Sequence, residues 1–247
     1  MARVYEADGW KGYIANWRDA RRMVEPIERE IEVVGGALSA LVDAGVLAHC
    51  RYDETKMLAH RKAVWESFEI PWTAISPRMQ RLLYAINAIT QPQTMVAVGI
   101  FCGYTFISNA GAAIGPGACY RARRLVGLEI RQEEAERARR NIARIDLRGL
   151  AEVIAEDGVA WLRRHDGSVD LLYLDADGRG GRGKSVYLDL VQAAWHSIHT
   201  GTIVLAHNSL NHAAQLADYL EFVRDPRKFR ESVNVIIDDQ GLEVSLR

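Results

Sequence analysis

The chain has 247 residues, of which 49% are hydrophobic and 26% are charged, and its 31 basic residues nearly balance 32 acidic ones. This composition is typical of a folded globular protein, and it excludes a disordered chain, a collagen and a small disulfide scaffold. The net charge of -1 offers no general attraction for a polyanion, so no nucleic acid is expected as a partner.

The cysteines and the N-terminal sequence bear on location. Cys50, Cys102 and Cys119 include no CxxC pair, and reduced thiols are expected. The opening segment MARVYEADGWKGY lacks the apolar centre of a signal peptide, and no segment reaches the roughly 18 apolar residues of a membrane span. We therefore expect a cytoplasmic protein with no membrane partner.

Helices are predicted in the N-terminal part of the chain. Apolar residues recur at intervals of three and four from Glu25 to about Ala44, where Pro26 opens an amphipathic helix. Further helices are predicted from Glu54 to Ser67 and from Pro77 through Ile89. The apolar face of the first helix could bury against a second copy, which would make a homodimer, or against the core of the same chain.

Beyond residue 93, short apolar segments alternate with helical ones. The predicted strands contain TMVAVGI, LVGLEI, AEVIAE, VDLLYLDAD and TIVLA; the helices between them lie near Tyr104 to Ile114, Gln132 to Ile145, Trp161, and Ser185 to Ile198. This alternation predicts an α/β fold with a doubly wound, mostly parallel sheet. FRESVNVIID and LEVSLR, around the turn Asp239-Gln240-Gly241, predict a terminal β-hairpin. We expect a helical cap of residues 1–75 and a core of residues 76–247.

A glycine-containing turn follows the first core strand, in the sequence Val98-Gly99-Ile100-Phe101-Cys102-Gly103-Tyr104. Glycines there permit a tight turn and the close approach of a ligand to the helix that follows. Acids stand at the ends of the later strands, at Glu129, Asp157, Asp175 and Asp177. Each could merely cap a helix. Together they would share one edge of a parallel sheet, where Glu129 could accept the hydroxyls of a ribose.

From about Ile75 onward these segments resemble the class I S-adenosylmethionine-dependent methyltransferases, specifically the catechol and caffeoyl-CoA O-methyltransferase-like enzymes. VGIFCGYTF resembles their nucleotide loop, LEIRQEEAERARRNI the ribose-binding acid with its helix, AEDGVAWL the adenine-contacting segment, and DLLYLDAD with AHNSL the metal-binding and catalytic strand ends. The resemblance implies a Rossmann-like sheet of seven strands with an antiparallel C-terminal hairpin, and S-adenosyl-L-methionine as cofactor. It implies cofactor contacts at Gly99, Phe101, Gly103, Tyr104, Glu129, Ile130, Asp157, Gly158 and Asp175.

The sequence departs from that family at the metal site. Ala97 replaces an acid that normally precedes the glycine loop. The family holds a divalent metal with an Asp and an Asp-Asn pair, and the matching residues here are Asp175, His207 and Asn208. An imidazole in place of a carboxylate removes a hard oxygen ligand and a negative charge, which weakens Mg²⁺ binding. We therefore expect no catalytic metal, or one that is poorly held.

Candidate catalytic groups follow from the same strand ends. His207 could act as a general base, or it could simply form a hydrogen bond at a strand end. Asp175, Lys184, Tyr187 and Asn208 are further candidates. Aromatic faces stabilise cations such as a sulfonium. Aromatic residues of the cap could therefore form part of a lid, or they could pack as ordinary helix residues, and they are Trp10, Tyr13, Trp17, Trp65, Phe68 and Trp72.

The predicted function is metal-independent methyl transfer to a small-molecule acceptor. The same fold could instead host a cyclase, in which the amine of the cofactor attacks its own γ-carbon to give azetidine-2-carboxylate and methylthioadenosine. A non-catalytic cofactor-binding module is a third possibility.

One short motif suggests a different class of protein. Residues 178–185, GRGGRGKS, match the phosphate-loop pattern GxxxxGK[ST] of P-loop NTPases. Asp175 and Asp177 beside it would repel a triphosphate, because like charges at short range are unfavourable. If residues 178–185 are not a phosphate loop, we expect them to form a mobile, basic insertion near the active site.

Overall fold

The structure is a computed structural model that describes residues 3–247. Its strands are β1 (Arg3–Glu6), β2 (Thr94–Val98), β3 (Arg124–Glu129), β4 (Ala151–Ala155), β5 (Val169–Leu174), β6 (Ile198–His207), β7 (Glu231–Ile236) and β8 (Leu242–Leu246). Its α-helices are α1 (Ile27–Asp43), α2 (Glu54–Ser67), α3 (Pro77–Thr90), α4 (Tyr104–Ala110), α5 (Gln132–Ala143), α6 (Gly158–Arg164), α7 (Val186–Ala193) and α8 (Ala217–Val223). The first two residues of the predicted cap lie outside the described residues.

The strands form one sheet in the order β1-β7-β8-β6-β5-β2-β3-β4. β8 runs antiparallel to β6 and β7, whereas the other neighbouring strands run parallel. β2 lies between β3 and β5, with Val96 opposite Val126 on one side and Leu172 on the other. The α/β fold, the mostly parallel sheet and the antiparallel C-terminal hairpin are therefore confirmed.

The sheet has eight strands, where the resemblance implied seven. The extra strand, β1, comes from the cap that was predicted to be helical, and it pairs with β7 from Arg3 opposite Val233 to Glu6 opposite Ile236. Four mostly exposed residues carry too little pattern to predict a strand. Helix α8 was not predicted either, and it has only seven residues. The helix expected to run to Ile198 ends at Ala193, because β6 already begins at Ile198.

The apolar face of α1 is buried within the same chain. Val34, Leu38 and Leu41 are fully buried, in the cluster that also contains Leu83 of α3. Of the two predicted uses of this face, the structure shows packing against the chain's own core. A homodimer stays a prediction with no surface assigned to it. No helix within residues 3–247 has the length and apolarity to cross a membrane.

Candidate active site

A cavity of about 840 Å³ opens at the carboxyl ends of β2, β3, β4, β5 and β6. This is the edge of a parallel sheet at which ligands bind in open α/β folds. The predicted site residues that line it are Gly99, Phe101, Glu129, Ile130, Asp157, Gly158, Asp175, Lys184 and Asn208. The glycine turn and the strand-end acids therefore meet in one place.

Two residues predicted to contact the cofactor do not line the cavity. Gly103 directly precedes α4 and has a φ of 87°, and a Cβ on it would lie 3.3 Å from Ala138, so this glycine packs against α5. Tyr104 is buried in the interior, where its hydroxyl accepts hydrogen bonds from Trp65, at 3.2 Å, and from Gln80. Local sequence placed both residues in the turn but could not show that they face away from the ligand side.

Two predicted catalytic residues also lie outside the cavity lining. Tyr187 is fully buried with its ring edge-on to Tyr219, and burial raises the pKa of its hydroxyl well above the ordinary value. His207 is 1% exposed, and neither of its ring nitrogens makes a hydrogen bond within residues 3–247. Both side chains belong to the interior rather than to the cavity wall.

The glycine turn requires Gly99 for steric reasons. Gly99 has a φ of 82°, and a Cβ there would lie 2.4 Å from the Cα of Ala176, just past the end of β5. The turn then brings Phe101 to the cavity, with its ring centroid 4.6 Å from that of Trp72. Trp72 is thus the cap aromatic that lines the cavity.

Glu129 is held rigidly at the end of β3. Its carboxylate is 4% exposed and accepts hydrogen bonds from the backbone N–H groups of Phe101, at 2.8 Å, and Arg131, at 3.0 Å. The guanidinium of Arg131 also donates to it from Nε, at 3.3 Å. Two carboxylate oxygens offer about four acceptor positions, so the three bonds leave capacity for a ligand hydroxyl. The site therefore presents a fixed anionic acceptor beside the glycine turn.

Asp157 has a structural role as well as a place in the cavity. Its carboxylate caps α6 by accepting a hydrogen bond from the N–H of Ala160 at 3.0 Å, as the capping interpretation predicted. The next residue is glycine because a Cβ on Gly158 would lie 2.4 Å from Val98. This capping hydrogen bond fixes the position of the Asp157 carboxylate at the cavity wall.

Asp175 and Lys184 form an ion pair at the other side of the cavity. The Lys184 ammonium donates to the Asp175 carboxylate at 2.9 Å and to its backbone oxygen at 3.0 Å. The second carboxylate oxygen lies 3.3 Å from the Tyr173 hydroxyl and 3.3 Å from Nδ1 of His207. Burial raises the pKa of Asp175, but the neighbouring charge of Lys184 outweighs burial and holds that pKa below the ordinary value. Asp175 is therefore an anion at neutral pH.

The glycine-rich segment does not form a phosphate-binding loop. Its ends are joined by a hydrogen bond from the N–H of Gly178 to the oxygen of Gly183, at 2.8 Å. Lys184, which would bind phosphate in a P-loop, is already paired with Asp175. This geometry argues against the NTPase alternative.

Several residues that line the cavity were not predicted to belong to the site, namely Arg163, Asn211, His212 and Gln240, whereas Arg179 lies in the basic segment that was expected near it. Asn211 and His212 follow AHNSL closely, and that proximity was the available signal. Gln240 was assigned only to the hairpin turn, which tertiary packing brings to the site.

The comparisons with known proteins agree with this geometry. Residues 96–209 match the family model described as a methyltransferase domain. No curated protein matches the sequence significantly.

Among solved structures, the chain resembles the O-methyltransferase from Bacillus cereus in complex with SAH, with a TM-score of 0.57 and 16% identity over 88% of this chain and 100% of that one. It also resembles the O-methyltransferase TomG from Streptomyces achromogenes in complex with SAM, with a TM-score of 0.53 and 20% identity over 80% and 91% of the two chains. Cofactor-bound Rv0187 from MTB gives a TM-score of 0.59 at 20% identity, over 78% and 90% of the chains. At these identities the likeness shows the fold. Within that fold, the segment of residues 96–209 is similar in sequence to the methyltransferase domain family.

Proposed function

We propose that this protein transfers a methyl group from S-adenosyl-L-methionine to a small-molecule acceptor, without a catalytic metal. The observation that carries the proposal is the buried Glu129 carboxylate, fixed by backbone N–H groups at the wall of a cavity formed by strand ends. A carboxylate in this position can accept a hydrogen bond from a ribose hydroxyl.

The cavity divides naturally into a cofactor side and an acceptor side. Gly99, Phe101, Glu129, Ile130, Asp157 and Gly158 come from the ends of β2, β3 and β4 and would hold the cofactor. Lys184, Asn208 and His212 lie past the ends of β5 and β6 and would face the acceptor, with Asp175 between the two sides. Alignment of the acceptor, the methyl group and sulfur is the main requirement of methyl transfer.

The bound molecules of the structural neighbours support this assignment. The Bacillus cereus structure contains SAH and the TomG structure contains SAM, both on the fold found here. By analogy of fold, the proposed cofactor is S-adenosyl-L-methionine.

The role of Glu129 can be measured by calorimetric titration with S-adenosylhomocysteine. Glu129→Gln keeps the shape of the side chain but removes its charge, and we expect at least about tenfold weaker binding, because a hydrogen bond to a charged group contributes about 1.5–3 kcal/mol. Glu133→Gln is the matched control, since Glu133 is exposed on α5. Equal affinities for the two variants would contradict the proposal.

Mass spectrometry distinguishes methyl transfer from the cyclase alternative. Purified protein is incubated with methyl-deuterated cofactor and EDTA, first alone and then with a panel of phenols and carboxylic acids. Transfer predicts labelled methyl on an acceptor and S-adenosylhomocysteine as the by-product. Methylthioadenosine formed without any acceptor would contradict transfer and favour the cyclase.

A cytoplasmic location is part of the proposal, supported by three free cysteines within residues 3–247. The proposed partner is the small-molecule acceptor, with neither nucleic acid nor membrane. A homodimer is also proposed, and its test is the molar mass in solution.

A further inference from the structure

Lys184 is a buried cation at the acceptor side of the cavity. The residue is 6% exposed, yet it is among those that line the cavity. Burying a charge is costly unless it is paired and hydrogen-bonded, and here the partner is the carboxylate of Asp175 at 2.9 Å. A second carboxylate oxygen, from Asp177, lies 3.7 Å away. The ammonium therefore occupies an anionic pocket at the end of β5.

The loop between Asp175 and Lys184 is closed, and it brings the Lys184 side chain into contact with Asp175. The segment from Gly178 to Gly183 closes on itself through one backbone hydrogen bond. The N–H of Lys184 is fixed by the side-chain oxygen of Gln215 at 2.8 Å. Gly183 has a φ of 51°, and a Cβ on it would lie 2.4 Å from that same oxygen. The position of the lysine is therefore set by packing rather than by a freely moving loop.

The residues present do not suit a divalent metal. Asp175, the carboxylate that the resemblance assigns to the metal, already accepts the Lys184 ammonium on one oxygen. Its other oxygen faces Tyr173 and His207, which lie on the interior side. Within residues 3–247 no three His, Cys, Asp or Glu side chains are grouped to hold a metal ion. A divalent cation would have to displace the ammonium, and like charges at this distance repel.

The ammonium retains a free donor toward the cavity. A lysine ammonium has three N–H donors. Two are used by the carboxylate and backbone oxygens of Asp175, and the 3.7 Å distance to Asp177 is too long for a hydrogen bond. The remaining donor can reach an oxygen of a molecule bound in the cavity.

We propose that the Lys184 ammonium is the resident cation of the acceptor subsite and takes the place of a divalent metal. This rests on the proposed methyl transfer. The acceptor then presents an oxygen that carries negative charge, such as a phenolate, an enolate or a carboxylate, after its proton has left to solvent. In the transfer a carbon–oxygen bond forms, the carbon–sulfur bond breaks with its electron pair left on sulfur, and Lys184 keeps its own protons.

The first test measures manganese binding by electron paramagnetic resonance in the full-length protein. Lys184→Met removes the charge and leaves Asp175, Asp177 and Asn208 to the metal, so we expect Mn²⁺ to bind at least about tenfold more tightly than to the wild type. Lys184→Arg keeps a positive charge and should bind no better than the wild type. Lys62→Met is the matched control, because Lys62 is exposed on α2.

The second test measures transfer in EDTA with an acceptor from the panel above, together with the affinity for S-adenosylhomocysteine. The wild type should retain its full rate in EDTA, and Lys184→Met should be about a hundredfold slower or more with unchanged affinity for the cofactor product. Unchanged affinity separates this proposal from a failure of cofactor binding. Manganese binding equal in wild type and Lys184→Met, or a wild-type rate abolished by EDTA, would overturn it.

Discussion

His60 is a buried base whose surroundings hold it in the neutral form. It is 4% exposed, and Cβ atoms added to Gly111 or Gly117 would lie 2.2 or 2.7 Å from it. Its pKa is lowered from 6.5 to about 4, mainly by burial and to a smaller extent by the charge of Arg61, against a hydrogen bond to the backbone of Ile107 that raises it. The unfolded chain therefore binds a proton at a pH where the folded protein does not.

This difference in protonation predicts acid sensitivity. As the pH falls from 6.5 toward 4, the free energy of unfolding should decrease by about 1.4 kcal/mol per pH unit from this residue alone. His60→Phe cannot titrate, so its urea unfolding curves should lose that part of the pH dependence. His49→Gln, at an exposed position, should keep the wild-type slope. Parallel slopes for His60→Phe and wild type would show that this proton is not linked to folding.

Gly99 tests whether the turn itself forms the cofactor site. In Gly99→Ala the new methyl group would collide with the backbone of Ala176, and the residue would be strained at a φ of 82°. We expect a loss of stability above about 2 kcal/mol and a clear loss of affinity for S-adenosylhomocysteine, measured by thermal unfolding and calorimetry. Gly149→Ala has a similar φ of 69° but open space around it, so it isolates the cost of φ alone. If Gly99→Ala lost no more stability and affinity than Gly149→Ala, the close approach of residue 99 to the backbone of Ala176 would be contradicted.

At the scale of elements, one buried carboxylate joins three helices. Glu30 of α1 is fully buried and pairs with Arg61 of α2, at 2.7 Å, and with Arg81 of α3. The helix predicted from Glu25 to about Ala44 includes Glu30, but periodicity could not show two arginines converging on its carboxylate. The cluster joins α1 and α2 of the cap to α3 of the core.

Removing one arginine from this cluster should be costly. Arg81→Met leaves the negative charge of Glu30 only partly compensated in the interior, and we expect the free energy of unfolding to fall by about 3–5 kcal/mol. The double variant Glu30→Met with Arg81→Met should recover part of that loss. Chemical denaturation measures both, with Lys62→Met expected to change stability by less than about 1 kcal/mol. An Arg81→Met variant as stable as this control would show that the cluster contributes little.

For the whole molecule, the cap and the sheet share one hydrophobic core. Val34 and Leu38 of the cap belong to the same buried cluster as Met95 and Ala97 of β2, while Val96 and Val98 face a second cluster on the opposite side of the sheet. Alternate residues of β2 thus pack into the two hydrophobic clusters on opposite faces of the sheet.

Shared burial predicts a single cooperative unfolding transition. Far-ultraviolet circular dichroism and tryptophan fluorescence should give the same denaturation midpoint, since tryptophans occur in both regions, for example Trp65 in the cap and Trp195 in the core. Separate midpoints for the two signals would instead indicate that residues 1–75 unfold independently.

The sequence by itself determined the order and type of most elements, the reversed last strand and the acids at the strand ends. Hydrophobic periodicity and strand-end position are local properties, so they can be read along the chain. Only the tertiary structure decided that Tyr104 faces inward, that Trp72 reaches the cavity and that Lys184 pairs with Asp175. Side-chain direction and the approach of distant segments depend on packing between elements, and no local pattern encodes that packing.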